Sequence, residues 1–191
     1  MKAAKKKIWF IEDTVCVIIL GLLFLLLYAS SRGIIDFGGN KSRAHQTAYG
    51  LRTAISAYYT DYRHYPLEVG IMDSDLDFES GEELMTVLMS LDSESSDPGS
   101  CPRSITFFSG RLATQNWDGE FTNGVQMLNE GKSAKLWDPW GNIYRVRLDT
   151  NNDKRVADPF NPSLQIPETI LVWSAGKDGD FSTWKDNVII W

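Results

Sequence analysis

Ala44-His45-Gln46-Thr47-Ala48-Tyr49-Gly50-Leu51-Arg52-Thr53-Ala54-Ile55-Ser56-Ala57-Tyr58-Tyr59-Thr60-Asp61-Tyr62-Arg63-His64-Tyr65-Pro66 is the stretch on which the fold hinges. Ala44, Ala48, Leu51, Ile55, Tyr58 and Tyr62 recur at spacings of four and three, which lines them along one side of an amphipathic helix. Ser42 supplies a cap before the stripe, and Pro66, which disfavours helical backbone before it, closes the element. This predicts a helix over 42–64 that packs a narrow apolar face on something else. Aromatics at helical spacing read as core in preference to a ligand platform.

Towards the N-terminus the pattern is interrupted at 32–41, where Gly33, Gly38 and Gly39 predict a break. Before it lies Val15–Tyr28, a 14-residue apolar run that reaches 21 residues if extended back to Ile8. About 20 residues are needed to cross a hydrocarbon layer. The extension takes in Glu12 and Asp13, and a carboxylate at membrane depth costs about 2.5–3.5 kcal/mol, so it belongs in a segment where it has a pairing role. Lys2, Lys5, Lys6 and Lys7 ahead of the run place the N-terminus in the cytoplasm. The expectation is a single-pass inner-membrane protein with residues 1–7 as a basic leader, 8–31 as the anchor, 32–41 as the break and 42–191 as a head outside the cytoplasm. A signal peptide cut near Ala29-Ser30-Ser31 is the alternative.

Towards the C-terminus, Glu68 to Asp97 holds ten acids and no Lys or Arg. It reads as a solvated loop over 67–103 around one short helix, Glu82 to Leu91, opened by a Ser80-Gly81-Glu82-Glu83 capping box; the alternative is a patch that steers a partner. Ser104–Phe108 predicts a first strand. Asp138-Pro139-Trp140-Gly141-Asn142 predicts a turn, followed by strands over Ile143–Leu148, Thr169–Ser174 and Val188–Trp191.

The chain has 191 residues, enough for one domain and an additional segment. From Arg32 onward 15 basic residues face 23 acidic ones, a net charge of −8, which argues against a nucleic-acid partner. Cys16 falls in the expected anchor and Cys101 outside it, so the two cannot pair within one chain and no disulfide framework follows. His45 and His64 have no ligand partners at zinc spacing. No nucleophile, base or phosphate-cradling motif stands out, and the chain reads as a non-enzyme.

Several segments resemble one family. Lys5-Lys6-Lys7-Ile8-Trp9-Phe10-Ile11-Glu12 is similar to the leader and first mature residues of type IV pilins and of the pseudopilins of type II secretion. Residues 54–66 are similar to the pseudopilin helix ending, and Asp138-Pro139-Trp140-Gly141-Asn142-Ile143-Tyr144 resembles the turn before the terminal sheet of the major pseudopilin. The family carries Gly where this chain has Lys7, and Asp13 adds a charge. The resemblance implies a pilin-like α+β fold, one long N-terminal helix, anchor plus stalk, packed on a small C-terminal antiparallel sheet. Over Ile8–Tyr62, 55 residues, that helix would be about 80 Å long.

The resemblance further implies processing at the Lys7/Ile8 junction and an assembly role for Glu12 against the amino terminus of a neighbouring subunit. The implied partners are further copies or other pseudopilins, the inner-membrane secretion machinery and the lipid bilayer. The function it implies is that of a membrane-anchored structural subunit of a pseudopilus or related filament serving type II secretion. A non-polymerising, membrane-anchored, calcium-binding interaction module with the same head is the second reading.

Two oxygen-rich turns bear on calcium, which takes six to eight oxygens. Ser174–Asn187 resembles the calcium-holding ending of major pseudopilins, with Asp178 and Asp186 at the ligand positions and Asp180 added. Asp149, Asn151 and Asp153 alternate as in the first half of a calcium loop and are the weaker candidates. For both turns the alternative is an ordinary solvated Asn/Asp turn.

Overall fold

In the computed structural model, residues 15–27, 39–67, 74–91 and 105–191 are described. The chain divides into two compact units, Met1–Gly39 and Asn40–Trp191. In the first, residues 15–27 form helix α1, whose side chains are exposed throughout. Among the described residues no helix is long and apolar enough to cross a membrane. The expected single-pass inner-membrane anchor is corrected accordingly. Lys7, Ile8, Glu12, most of the 32–41 break and Cys101 lie outside the described residues.

In the second unit, α2 runs Gly39–Tyr62, and Arg63 ends it with a left-handed backbone, φ 64°. The predicted cap Ser42 therefore sits inside the helix. Ala44, Ala48, Leu51, Ala54, Ile55 and Tyr58 are buried, so the stripe is the face that packs on the core. Helix α3 (Glu82–Met89) brings Leu84, Met85 and Leu88 to the same core. Ser80 does not cap α3: its Oγ donates to the Leu136 carbonyl at 2.9 Å and accepts from the Tyr144 amide at 3.0 Å, stitching two chain segments instead.

Among the described residues ten short strands form four sheets. The largest joins β1 (Leu76–Glu79), β6 (Arg145–Leu148), β9 (Ile170–Ser174) and β10 (Val188–Ile190) in the order β1-β6-β9-β10, all antiparallel. The other three are two-stranded: β2 (Thr114–Gln115) with β3 (Phe121–Thr122), β4 (Gly124–Leu128) with β5 (Ser133–Trp137), and β7 (Val156–Ala157) with β8 (Gln165–Ile166). The expectation of one long helix on one small terminal sheet is thus overturned. The described helices are short, and the C-terminal part is mainly strands in several small sheets. The physical cause is the frequency of turn-forming residues: Asn, Asp and Gly break the C-terminal half into strands of two to five residues.

Two of these departures have local reasons. β1 lies within the acidic run read as loop; its Leu76-Asp77-Phe78-Glu79 alternation pairs Asp77 directly with Arg147 on β6, a two-pronged ion pair with one arm at 2.6 Å. Residues 105–108 are not a strand, because the Phe107 and Phe108 amides both donate to the Leu88 carbonyl at the end of α3, at 2.8 and 3.0 Å.

All five residues of β9 are buried because the sheet is covered on both faces. Alternation sends Ile170 and Val172 to the main core with α2, and Leu171 and Trp173 to a smaller cluster with Val156, Phe160 and Trp191. Tyr144, fully buried, carries its hydroxyl to the Ala44 carbonyl at 3.4 Å, so the segment before β6 is fixed directly to α2.

Candidate functional site

The Asp138-Pro139-Trp140-Gly141-Asn142 turn and the Ser174–Asn187 loop, 36 residues apart, form one structure. Asp138 is fully buried. Its Oδ1 accepts from the Trp140 and Asn142 amides, each at 2.8 Å, and its Oδ2 accepts from the Asn142 side chain at 3.2 Å and from the Ser174 hydroxyl. Asn142 Nδ2 also donates to the Gly176 carbonyl at 2.7 Å, and the Gly176 amide donates to Ser174 Oγ at 3.1 Å. Burial pushes the Asp138 carboxyl above its ordinary value, while the donors from Ser174 and Asn142 pull the other way.

Gly176 is required at its position. Its φ is +73°, and a Cβ there would lie 2.3 Å from the Asp186 carbonyl oxygen. That close approach lets the loop fold onto Asp186, whose Oδ2 accepts from the Lys177 amide at 2.6 Å and the Asp178 amide at 2.9 Å. Asp178 Oδ1 accepts from the Asp180 amide at 2.9 Å, and its Oδ2 accepts from the Thr183 hydroxyl. Asp180 Oδ1 accepts from the Ser182 amide at 2.8 Å and hydroxyl at 2.7 Å, and these donors hold its carboxyl below the ordinary value. Arg145 lies 3.9 Å over the Phe181 ring and fastens the loop to β6.

Asp178, Asp180 and Asp186, the residues expected to hold a calcium ion, all lie on this loop. Each carboxylate closes its own stretch of backbone, and among the described residues no group of three or more His, Cys, Asp or Glu side chains is arranged to hold a metal ion. The weaker set behaves alike. Asp149, nearly buried, accepts from the Asp153 and Lys154 amides at 3.2 and 2.9 Å. Asn151 Oδ1 accepts from the Asp153 amide at 3.0 Å, and Asp153 Oδ1 from the Arg155 amide at 2.8 Å. These are Asx turns, with Asn152 and Lys154 in the left-handed backbone region.

Two features escaped the sequence reading. Asp75 sits beside the second turn, its Oδ2 accepting from the Ala157 amide at 2.8 Å and its buried Oδ1 without a hydrogen-bond partner among the described residues; burial, reinforced by Asp149 and Asp153, raises its carboxyl. The second is the joining of residues 138–142 to 174–176, for which the buried Asp in a Pro-Trp-Gly turn was the available signal. No protein-family model, curated protein or solved structure matches the chain.

Proposed function

We propose that the chain is a structural, non-enzymatic subunit of pseudopilus type that serves protein secretion by assembling with copies of itself or with similar subunits. The observation that supports this most is α2. Its small and apolar stripe is committed to the head, and the Tyr144 hydroxyl ties it to the Asp138-Pro139-Trp140-Gly141-Asn142 segment. A helix held in this way is a rigid support for a head that works by its surface. Processing at Lys7/Ile8 and pairing through Glu12 belong to the same proposal. Mass spectrometry of the mature protein tests it: a chain beginning at Ile8 supports the reading, and an intact Met1 contradicts it.

A further inference from the structure

Asp178 and Gly179 lie in the exposed part of the Ser174–Asn187 loop. Asp178 Oδ1 accepts from the Asp180 amide, two residues on, at 2.9 Å. This Asx turn folds the carboxyl forward over the peptide that joins Asp178 to Gly179. Among the described residues several Asp and Asn side chains close such turns, but Asp178 alone is followed by glycine, which has no Cβ to hold the two groups apart. The amides on either side are engaged, that of Asp178 by Asp186 and that of Asp180 by Asp178 itself. Among the described residues the Gly179 amide donates to no acceptor. The second carboxyl oxygen, Oδ2, accepts from the Thr183 hydroxyl, which also lies 3.0 Å from the Asp180 carbonyl.

We propose that Asp178-Gly179 is a site of spontaneous backbone modification, where the Gly179 nitrogen closes on the Asp178 carboxyl carbon to give a succinimide and then an isoaspartyl link. The bond from Gly179 N to Asp178 Cγ forms, and Oδ2 leaves as water with the amide proton and the carboxyl proton. Thr183 donates to that leaving oxygen and stabilises the charge that builds on it. Water then opens the ring. Opening at the Asp178 backbone carbonyl leaves the chain running through Cβ, one backbone atom longer, with the carboxylate on Cα. In that form Asp178 no longer closes the turn on Asp180 and Thr183, so this exposed loop changes with the age of the molecule.

Two other dipeptides among the described residues carry the same chemical hazard, and the fold treats them differently. Asp118-Gly119 is equally exposed, but the Gly119 amide donates to the Asn116 carbonyl at 3.1 Å, and among the described residues nothing holds the Asp118 carboxyl forward. Asn123-Gly124 has its glycine buried in the β4–β5 pairing opposite Trp137.

The test is prolonged incubation of the purified full-length chain at mildly acidic pH, followed by peptide mapping that separates α-linked from β-linked aspartate. Isoaspartate should accumulate at 178 about tenfold or more faster than at 118, through a species lighter by one water, because only at 178 are the reacting groups held together. In urea the two Asp-Gly sites should react at similar rates. Thr183→Val should slow position 178 about fivefold, the worth of one ordinary hydrogen bond, and leave 118 unchanged. Isoaspartate no faster at 178 than at 118 in the folded chain overturns the proposal. A lead that persists in urea overturns it too, since sequence alone would then account for it. A rate that Thr183→Val leaves unchanged overturns the part given to Thr183.

Discussion

Asp138 is the residue whose removal should be felt most in the head. Asp138→Ala strips an acceptor from four donors at once: the Trp140 and Asn142 amides, the Asn142 side chain and the Ser174 hydroxyl. A buried group left unsatisfied costs about 1–3 kcal/mol. Asn142 Nδ2 keeps the Gly176 carbonyl, so the donors left without an acceptor are fewer than four. The sum is also offset because a carboxylate no longer has to be kept away from water. The net loss should therefore be about 3–5 kcal/mol, against a typical total of about 5–15 kcal/mol. Asp138→Asn keeps one acceptor oxygen for the two amides but sets an amide donor against Asn142 Nδ2, and should cost about 2–3 kcal/mol. Urea unfolding of the full-length chain followed by tryptophan fluorescence measures both. The refuting result is a loss below about 1 kcal/mol for Asp138→Ala, the size of an ordinary surface substitution.

Further consequences follow from the same contacts. Asp138 has a folded-state pKa above its unfolded one, so its contribution is fully present below the unfolded value of 3.8 and declines as pH rises through the folded value. The stability gap between wild type and Asp138→Asn should accordingly be widest in acid and narrow on the way to neutrality; a gap that widens with pH contradicts the burial argument. Gly176→Ala meets the Asp186 carbonyl as well as a left-handed backbone, while Gly179→Ala, φ +71°, has 3.4 Å to its nearest atom. The first should cost about 2–4 kcal/mol and the second about 1–2 kcal/mol by denaturant titration, and equal losses would refute the close approach. Ile55→Ala, at a fully buried position of α2, should cost about 2–5 kcal/mol, whereas Asp77→Ala on the half-exposed Arg147 pair should cost about 1 kcal/mol or less.

The α2 stripe was legible because helical periodicity needs only spacing, and Ala44 to Tyr58 have it. The turn at 138–142 was legible because Pro139 and Gly141 restrict the backbone locally, and Gly141 indeed has φ +93°. What was not legible depended on which distant donor meets which acceptor. Ser80 carries the local signature of a helix cap, yet Leu136 and Tyr144, 56 and 64 residues away, take its hydroxyl. Leu76-Asp77-Phe78-Glu79 alternates like a strand, but it sits in a run whose charge suggested solvent, and only Arg147 across the sheet makes Asp77 welcome there. Asp178, Asp180 and Asp186 lie within nine residues, a density that suggested a shared cation. Sequence spacing gives no information on the amides of 177, 178, 180 and 182 and the hydroxyls of Ser182 and Thr183, which donate to these carboxylates.

Assembly is the central claim, and electron microscopy of the purified full-length chain over a range of concentrations addresses it directly. The account predicts filaments of uniform width with a constant axial repeat, growing with concentration by mass action. A single 21.6 kDa species at every concentration would contradict it.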